Sequence, residues 1–524
     1  MHSEQLSFLM PLGMTLNPHN RWVLLSRLVP WDVAEPVYAA HFAGRKGGPD
    51  PLPVRIALGA LIIKERLDLT DRETVEQIRE NPYLQYFLGR ASFTDEALFD
   101  HTMISTFRRR LGMDCINQIN AALIERALSV TPEAPDDDDA HDDDGSMTAP
   151  VDDHGDGGDS APQASPPTGC LMIDATCAPA DITFPTDLKI LNNARALTEE
   201  MIDILHKPFI GQRPRPRTYR RNGRHAFLRA AKAKRLSRSK RRTAVGKQLR
   251  FLRRNLGVIA HFVAETPDCL LRLHERLYTK MLVIHEVFRQ QWIMYETHTY
   301  RISDRIVSIA QPHVRPQVRG KAHAPTEFGA KISASVINGF ASLDRLSWDA
   351  YHEASDLPQQ AARYRQRTGH YPARVLADKI YRTRANRKWC TERGIRLAGI
   401  PPGRPPADPA RYRQQQRDAR NDEAERQPIE GVFGRAKRRY GLSRIMAKTA
   451  VTAAASIALI FLVMNLERLL LLCALLFAHA LLCRNLWPVL TSAWRQSALH
   501  KAEWQKRDHH PSWGWRARWQ GLAG

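Results

Sequence analysis

An acidic segment of low complexity divides this 524-residue chain into two regions, because no packed core can include it. Residues 131–168 contain eleven aspartates and Glu133, with no lysine or arginine, among many small residues and prolines. Such a composition cannot bury enough apolar surface to offset the entropy lost on ordering, so we predict a disordered acidic linker. The alternative is a DNA mimic that covers a basic surface until DNA displaces it.

The remainder of the chain is strongly basic. The whole sequence has 77 Lys and Arg against 55 Asp and Glu, a net charge of +22 that already includes the acidic segment. Residues 213–254 contain 18 lysines and arginines and no acid. Cations so close together repel one another unless phosphates neutralise them, so the stretch predicts contact with a nucleic-acid backbone rather than a merely solvated face. The expected DNA contacts here are Arg217, Arg220, Arg221, Arg238, Lys240, Arg241 and Arg242.

Residues 17–130 have the apolar periodicity of helices. Apolar side chains at 54, 57, 58, 61 and 62 fall on one helical face, and residues 70–73 have the form of a capping box. Short helices that end near the three arginines at 108–110 fit a DNA reader of the helix-turn-helix type. We therefore predict an all-α DNA-binding domain over 17–130, with an ordinary helical bundle as the alternative.

After residue 168 the pattern changes to short apolar strands mixed with helices. Strands are predicted at 170–173, 182–184, 305–309, 331–337, 374–377 and 396–400, with helices at 384–393 and from Pro428 towards Tyr440. This order predicts an α+β or α/β domain over 169–450, in which a mixed sheet is flanked by helices. A helical basic insertion is expected at about 190–300.

The C-terminal region, 451–524, is predicted to hold apolar helices and a basic tail. Its apolar runs, 457–464 and 469–483, are separated by Asn465, Glu467 and Arg468. Each run is shorter than the roughly 20 apolar residues of a membrane-spanning helix, so we predict buried or partner-facing helices and no membrane partner, with membrane contact as the alternative.

Several classes of protein are disfavoured by missing motifs. The seven cysteines are dispersed without a CxxC pair, which argues against a disulfide framework or a zinc ribbon. The sequence has no GxxxxGK[ST], HExxH or GxSxG motif, so no nucleotide-binding, zincin or hydrolase site is supported and no small-molecule substrate is expected. No basic segment precedes an apolar run at the start, which predicts no signal peptide and a cytoplasmic, nucleoid-associated protein.

Acids next to predicted elements are the candidate reactive groups. Asp174 follows the apolar residues 171–173, and Asp378 follows 375–377. Glu430 lies at the start of the late helix, and Lys437 shares its helical face. Carboxylates from three separate elements suit Mg²⁺ or Mn²⁺, and two such ions can clamp a displacement at phosphorus. The alternative is that Asp174 caps a strand and Glu430 is merely a favourable charge at a helix N-terminus.

At these residues the chain resembles a DDE transposase of bacterial insertion sequences, in the group related to insertion sequences four and five. The resemblance implies a ribonuclease H-like catalytic domain in which Asp174, Asp378 and Glu430 are both the catalytic triad and the ligands of two divalent ions. It also implies a helical N-terminal transposase domain. Five stretches carry the resemblance: residues 71–89, 171–191, 328–351, 374–404 and 426–445.

The late helix of this family has a signature of Tyr, two residues, Arg, three residues, Glu, six residues and Lys. Arg426, Glu430 and Lys437 fit it, whereas Glu423 stands at the tyrosine position. If the helix begins at Pro428, Arg426 precedes it. The expected DNA contacts in this region are Lys437, Arg426, Arg438 and Arg439.

The resemblance implies a transposase that binds double-stranded DNA at element ends and target and catalyses metal-dependent cleavage and strand transfer. Holding two ends together implies at least a homodimer in the synaptic complex. The alternatives are a catalytically inactive DNA-binding protein derived from a transposase, and a metal-dependent nuclease without strand transfer. The intact Asp174, Asp378 and Glu430 favour an active enzyme over a decayed one.

Overall fold

The computed structural model describes residues 15–43, 50–130, 166–318, 326–401 and 403–477. The predicted acidic linker lies outside these ranges except for its last three residues, and the predicted basic tail lies outside them entirely. The N-terminal region is all-α, as predicted. Its helices are α1 Arg21–Leu28, α2 Trp31–Ala39, α3 Val54–Leu67, α4 Asp71–Glu80, α5 Pro82–Phe87 and α6 Met103–Val130.

Capping side chains set the limits of the N-terminal helices. The Thr70 hydroxyl caps α4 by accepting from the Glu73 backbone N–H at 3.2 Å, which is the capping interaction expected from the sequence. Pro82 occupies the first turn of α5, where its missing N–H costs no hydrogen bond. Inside α6, Gly112 has a φ of 62°, so the two halves of this helix meet at a kink. Side chains such as Leu61 fill a core between these helices.

The second region is built on a mixed sheet. Its strands are β1 Cys170–Pro179, β2 Arg315–Val318, β3 Thr326–Ile337, β4 Phe340–Ser347, β5 Arg374–Ala377 and β6 Arg396–Leu397. β1 is antiparallel to β3 and parallel to β5, and β5 is parallel to β6. The first part of β3 pairs with β2 and the rest with β4. The path β4–β3–β1–β5–β6 is the strand order of a ribonuclease H-like fold, so the predicted fold class is confirmed.

Three strand predictions need correction. β1 does not end before Asp174 but continues to Pro179, because β3 pairs with it over that length. Residues 182–184 and 305–309 are not strands. Ile306 packs into the core of the neighbouring helices, and the Gln290 side chain, not an adjacent strand, accepts its backbone N–H at 3.0 Å.

The segment between β1 and β2 is the predicted helical basic insertion. Its helices surround an apolar core of their own that includes Ile202, Leu252 and Ile284. Inside this core the Asn255 side-chain N–H donates to the Thr198 hydroxyl at 3.0 Å, so this buried donor has a partner. The helices are α7 Asp187–His206, α8 Arg220–Lys232, α9 Arg238–Glu265 and α10 Glu275–Glu296.

The late helix begins much earlier than predicted. Asp408 caps it by accepting from the Ala410 N–H at 2.8 Å, and Pro409 occupies its first turn. Pro428 is therefore an internal residue, and Arg426 lies within the helix rather than before it. The helices that follow β4 are α11 Leu357–Thr368, α12 Arg384–Thr391, α13 Pro409–Arg439 and α14 Ala450–Phe477.

The apolar run 457–464 and the described part of the second run, 469–477, lie in one helix rather than in separate ones, and residues 478–483 lie outside the described residues. By length and composition α14 could cross a membrane, but its residues up to Leu466 belong to the first compact unit of the chain. There Ile457, Phe461 and Leu462 are fully buried, which is the environment of a core helix. Residues from Glu467 onward form a second unit.

Asn465 lies inside the fold, where it connects three elements. Its side-chain amide donates to the Ala341 carbonyl at 2.7 Å and to Asn120 Oδ1 at 2.8 Å, and its oxygen accepts from the Ala341 N–H at 2.9 Å. Asn120 also donates to the Ala341 carbonyl, at 3.2 Å. This pair of buried amides joins α6 of the N-terminal region and α14 to β4 of the sheet.

We expect Asn465→Ala to lower the free energy of unfolding by about 2–4 kcal/mol, because it leaves the buried N–H of Ala341 and the amide of Asn120 short of partners. Urea denaturation at neutral pH would measure this loss. Asn120→Ala keeps both bonds between Asn465 and Ala341 and should cost less, about 1–2 kcal/mol. Equal losses in the two variants would contradict this account of the junction.

Candidate active site

Asp174 and Asp378 lie side by side on adjacent parallel strands. The register pairs Ile173 of β1 with Ala377 of β5, and each aspartate is the next residue. Only 20% of the Asp174 side chain is exposed, whereas Asp378 is on the surface. The sheet therefore brings together two of the three predicted acids.

Backbone groups orient both carboxylates. Asp174 Oδ1 accepts from the Ala175 N–H at 2.8 Å, and Asp378 Oδ1 accepts from the Lys379 N–H at 2.6 Å. Asp378 is the N-cap of a short 3₁₀ helix, Lys379–Tyr381, which begins directly after β5. Each aspartate is thus held through one oxygen of its carboxylate.

Arg426 connects the third acid to the first. Its Nη1 lies 3.7 Å from Asp174 Oδ2, and its Nη2 donates to Glu430 Oε1 at 2.8 Å. Arg426 is 9% exposed and Glu430 60% exposed, so the guanidinium is buried beneath a carboxylate that faces solvent. Because α13 is continuous through Pro428, Arg426 and Glu430 are one helical turn apart.

The surroundings of Asp174 disfavour its charged form. The pKa of Asp174 is raised to about 6, mainly by burial and also by the nearby Asp378 and Glu353 carboxylates, against the opposing effects of the Ala175 N–H and Arg426. Burial also disfavours the Arg426 cation, but its acidic neighbours outweigh this and raise its pKa above the usual value. A desolvated carboxylate beside other acids favours a bound cation, and Arg426 supplies one.

Glu423 belongs to the same site, although the sequence suggested only that it departs from the family signature. Its Oε1 accepts from Arg426 Nη2 at 2.7 Å and from Nε at 3.2 Å. Its Oε2 lies 3.7 Å from Arg382, which donates to the Ala377 carbonyl at 3.1 Å. Glu423 therefore links the end of β5 to Arg426. The sequence signal that could have identified Glu423 is an acid three residues before an arginine on one helix.

The predicted basic residues of α13 differ in their surroundings. Lys437 is half-buried and donates to the Thr176 hydroxyl at 3.0 Å, on the same face of β1 as Asp174. Arg438 and Arg439 are exposed, and the Arg439 guanidinium lies 5.4 Å from the Tyr440 ring centroid. Lys437 is thus adjacent to the acids, whereas the other two face solvent.

The basic insertion is partly compensated by groups outside residues 213–254. Arg220 donates to both oxygens of Asp203 at 2.9 and 3.1 Å. Arg242 donates to the Tyr295 carbonyl at 2.5 Å, and its guanidinium lies 4.1 Å from the Tyr295 ring centroid. The other predicted contacts of this segment are exposed: Arg217, Arg221, Arg238, Lys240 and Arg241.

The acids of the site are of the right kind for Mg²⁺, which prefers carboxylate oxygens. Among the described residues, however, no three His, Cys, Asp or Glu side chains are close enough together to hold a metal ion. Glu430 is paired with Arg426, whose charge lies beside Asp174. The arrangement fits an ion held by Asp174 and Asp378, with Glu430 available as a third ligand once its bond to Arg426 opens.

Comparison with known families agrees with this geometry. Residues 375–467, which include Asp378 and Glu430, match the family described as Transposase DDE domain. Residues 12–110 match Transposase domain (DUF772), which covers the first helices. The chain is thus similar to transposases in two separate stretches, one of them a DDE domain.

One protein similar to this chain is a protein of Rhizobium meliloti described as "Uncharacterized protein ORF8 in nfe locus". It is 30% identical over 124 residues, which are 24% of this chain. The chain spans 59% of the length of that relative. No solved structure matches the chain.

We expect Asp174→Asn to change how the stability of this protein depends on pH. The carboxyl has a pKa raised from 3.8 to about 6, so its protonation stabilises the fold below pH 3.8, and this contribution is lost as the pH rises through about 6. Without divalent metal the variant should therefore be more stable at pH 7, by about 2–3 kcal/mol, and equally stable at the acid end of that range. Urea denaturation at several pH values would measure both.

Asp181→Asn is a control for which the expected change in stability at pH 7 has the opposite sign. Lys448 and Arg444 hold the pKa of Asp181 below its usual value through hydrogen bonds of 2.5 and 2.8 Å. Its stabilisation is present above its ordinary pKa and is lost as the pH falls through the lowered one, so Asp181→Asn should be less stable at pH 7. If Asp174→Asn also lost stability at pH 7, the environment inferred for Asp174 would be wrong.

Proposed function

We propose that this chain is an active insertion-sequence transposase, which binds element-end and target DNA, cleaves strands and joins them in the presence of Mg²⁺ or Mn²⁺. The observation that carries the proposal is the adjacency of Asp174 and Asp378 on β1 and β5, with Glu430 connected to Asp174 through Arg426. An inactive DNA-binding descendant gains nothing from a desolvated carboxylate beside a second one, which raises the free energy of the folded chain.

The reaction breaks a phosphorus–oxygen bond of DNA while the oxygen of water or of a 3′-hydroxyl forms a new one. Asp174, Asp378 and Glu430 would hold one or two divalent ions, which supply Lewis-acid stabilisation of the charge that develops at phosphorus. In the free protein the positive charge of Arg426 offsets the negative charge of the acids around it. Lys437, held by Thr176 beside Asp174, offers a cation to the phosphate group.

The DNA-contacting surfaces follow from the same proposal. The exposed cations of the insertion and Arg438 and Arg439 of α13 would contact phosphates, and residues 17–130 would read the element end. Of the three arginines at 108–110, Arg109 is exposed, whereas Arg108 donates to Asp71 at 2.7 Å. Two ends must meet, so a homodimer is proposed for the synaptic complex, with the transposase in the cytoplasm and associated with the nucleoid.

We expect Asp174→Asn, Asp378→Asn and Glu430→Gln each to abolish cleavage and joining of element-end DNA with Mg²⁺, because each removes a carboxylate ligand. DNA affinity should persist, and Ca²⁺ should support the complex but little chemistry, since it prefers looser coordination. Product mapping on gels, together with a filter-binding assay, would measure both. Mg²⁺ should also raise the melting temperature of the unsubstituted protein more than that of Asp174→Asn.

The matched control is Glu425→Gln, which removes an exposed acid from the same helix. Glu425 pairs with Arg374 at 3.0 Å and makes no contact with Arg426 among the hydrogen bonds and ion pairs of the described residues. This variant should retain activity. Full activity in any triad variant would remove that residue from the site. Cut products without joined ones would favour a nuclease, and binding without cleavage by the unsubstituted protein would favour an inactive descendant.

For the insertion, we expect Arg238→Ala, Lys240→Ala and Arg241→Ala, combined, to weaken binding of end DNA and random DNA alike. The slope of log K against log salt should flatten by about 0.9 for each phosphate that the variant no longer neutralises. Arg242→Ala is the contrast, because Arg242 is bonded to Tyr295 and should affect stability rather than the slope. An unchanged slope in the triple variant would mean that these cations face only solvent.

A further inference from the structure

The charges of α13 are segregated around its axis. At about 100° per residue, five of its arginines fall within a sector of about 60°, on the side opposite the residues that pack against the sheet. The acids of the helix lie outside this sector, towards the sheet or the active site. We refer to the sector as the outer face, and its arginines are Arg413, Arg417, Arg420, Arg435 and Arg438.

These arginines are available to a partner. All five are exposed, and none forms an ion pair with another residue in the described part of the chain. The contrast is Arg426, which lies on a different side of the same helix, is buried and contacts three carboxylates. Five unpaired cations on one rigid face require an anionic occupant, and the repeated charge of a DNA backbone is the one that matches their spread.

The residues in the middle of the outer face carry no charge. Ala424, Gln427, Pro428 and Gly431 lie between the two groups of arginines, and all four are exposed. A Cβ atom added to Gly431 would meet nothing within 4 Å, so no packing inside the chain requires glycine there. Glycine is nevertheless unfavourable inside a helix relative to alanine. The close approach of a partner would account for it.

We propose that the outer face binds the backbone of the duplex that is cleaved, with phosphates at both arginine groups and the closest approach over Gly431. Arg413 and Arg438 are about 37 Å apart along the helix at 1.5 Å per residue, which is close to one turn of B-form DNA. Gly431 directly follows Glu430, which lies about 100° around the helix, so a duplex on the outer face passes beside the acids. This inference rests on the proposed function.

The decisive test is Gly431→Ala in the full chain. Alanine should raise the melting temperature, because it favours the helix, while it lowers cleavage of element-end DNA by about tenfold to 100-fold, because a methyl group displaces the strand. Gly257→Ala is the matched control, since Gly257 is exposed within α9 and a Cβ there would also meet nothing within 4 Å. It should raise the melting temperature and leave cleavage unchanged. Unchanged cleavage in both variants would overturn the proposal.

A second measurement tests the charges and separates the possible failures. Arg413→Gln, Arg417→Gln and Arg420→Gln, combined, should flatten the salt slope for a random duplex by about 0.9 per arginine, and an unchanged slope would overturn the proposal. This measurement needs no catalysis, so it remains decisive if the unsubstituted protein fails to cleave and the proposed function is wrong. If Gly431→Ala cleaves normally but no longer joins pre-cut ends to target DNA, the outer face binds target DNA rather than the cleaved duplex, and the proposal is wrong.

Discussion

The positive charge of Arg426 allows several carboxylates to share one end of the sheet. The strand register forces Asp174 and Asp378 together, and α13 adds Glu430 above them. Like charges in a desolvated position raise one another's pKa, so without a cation the site would favour protonated acids. The buried guanidinium offsets this cost in the free protein. A divalent ion that binds there must therefore compete with a resident cation, and the 60% exposure of Glu430 lets its carboxylate turn from one to the other.

The candidate acids could be named from the sequence, but their geometry could not be predicted. Asp174 and Asp378 follow recognisable apolar runs, and Glu430 lies in a family signature. Residues 175–179 carry little hydrophobic pattern, and they are a strand only because β3 pairs with them, which no local signal shows. Residues 305–309 have a strand-like pattern but lie against helices of the insertion. Pro428 suggested a helix start because proline is usual there, whereas Asp408 and Pro409 supply stronger start signals upstream.

Polar residues caused the largest errors and carry much of the organisation. Asn465 looked like an interruption between two apolar runs, yet its amide fits the buried backbone of Ala341, so the helix continues through it. The cations of the insertion looked uncompensated because the acids that pair with them, such as Asp203, lie outside the basic stretch. Sequence separation hides such pairs. Exposed cations such as Arg217, Arg221, Lys240 and Arg241 form no ion pair with another described residue.

The chain leaves β1 through a short anchored segment before it enters the insertion. The N–H groups of Ala180 and Asp181 donate to the carbonyls of Phe328 and Ile445 at 2.9 and 3.0 Å, and the Asp181 carboxylate accepts from Arg444 and Lys448. These bonds fix the end of β1 separately from the helices of the insertion. If the insertion binds DNA as proposed, it can shift through residues 182–186 while these bonds keep β1 and Asp174 in place.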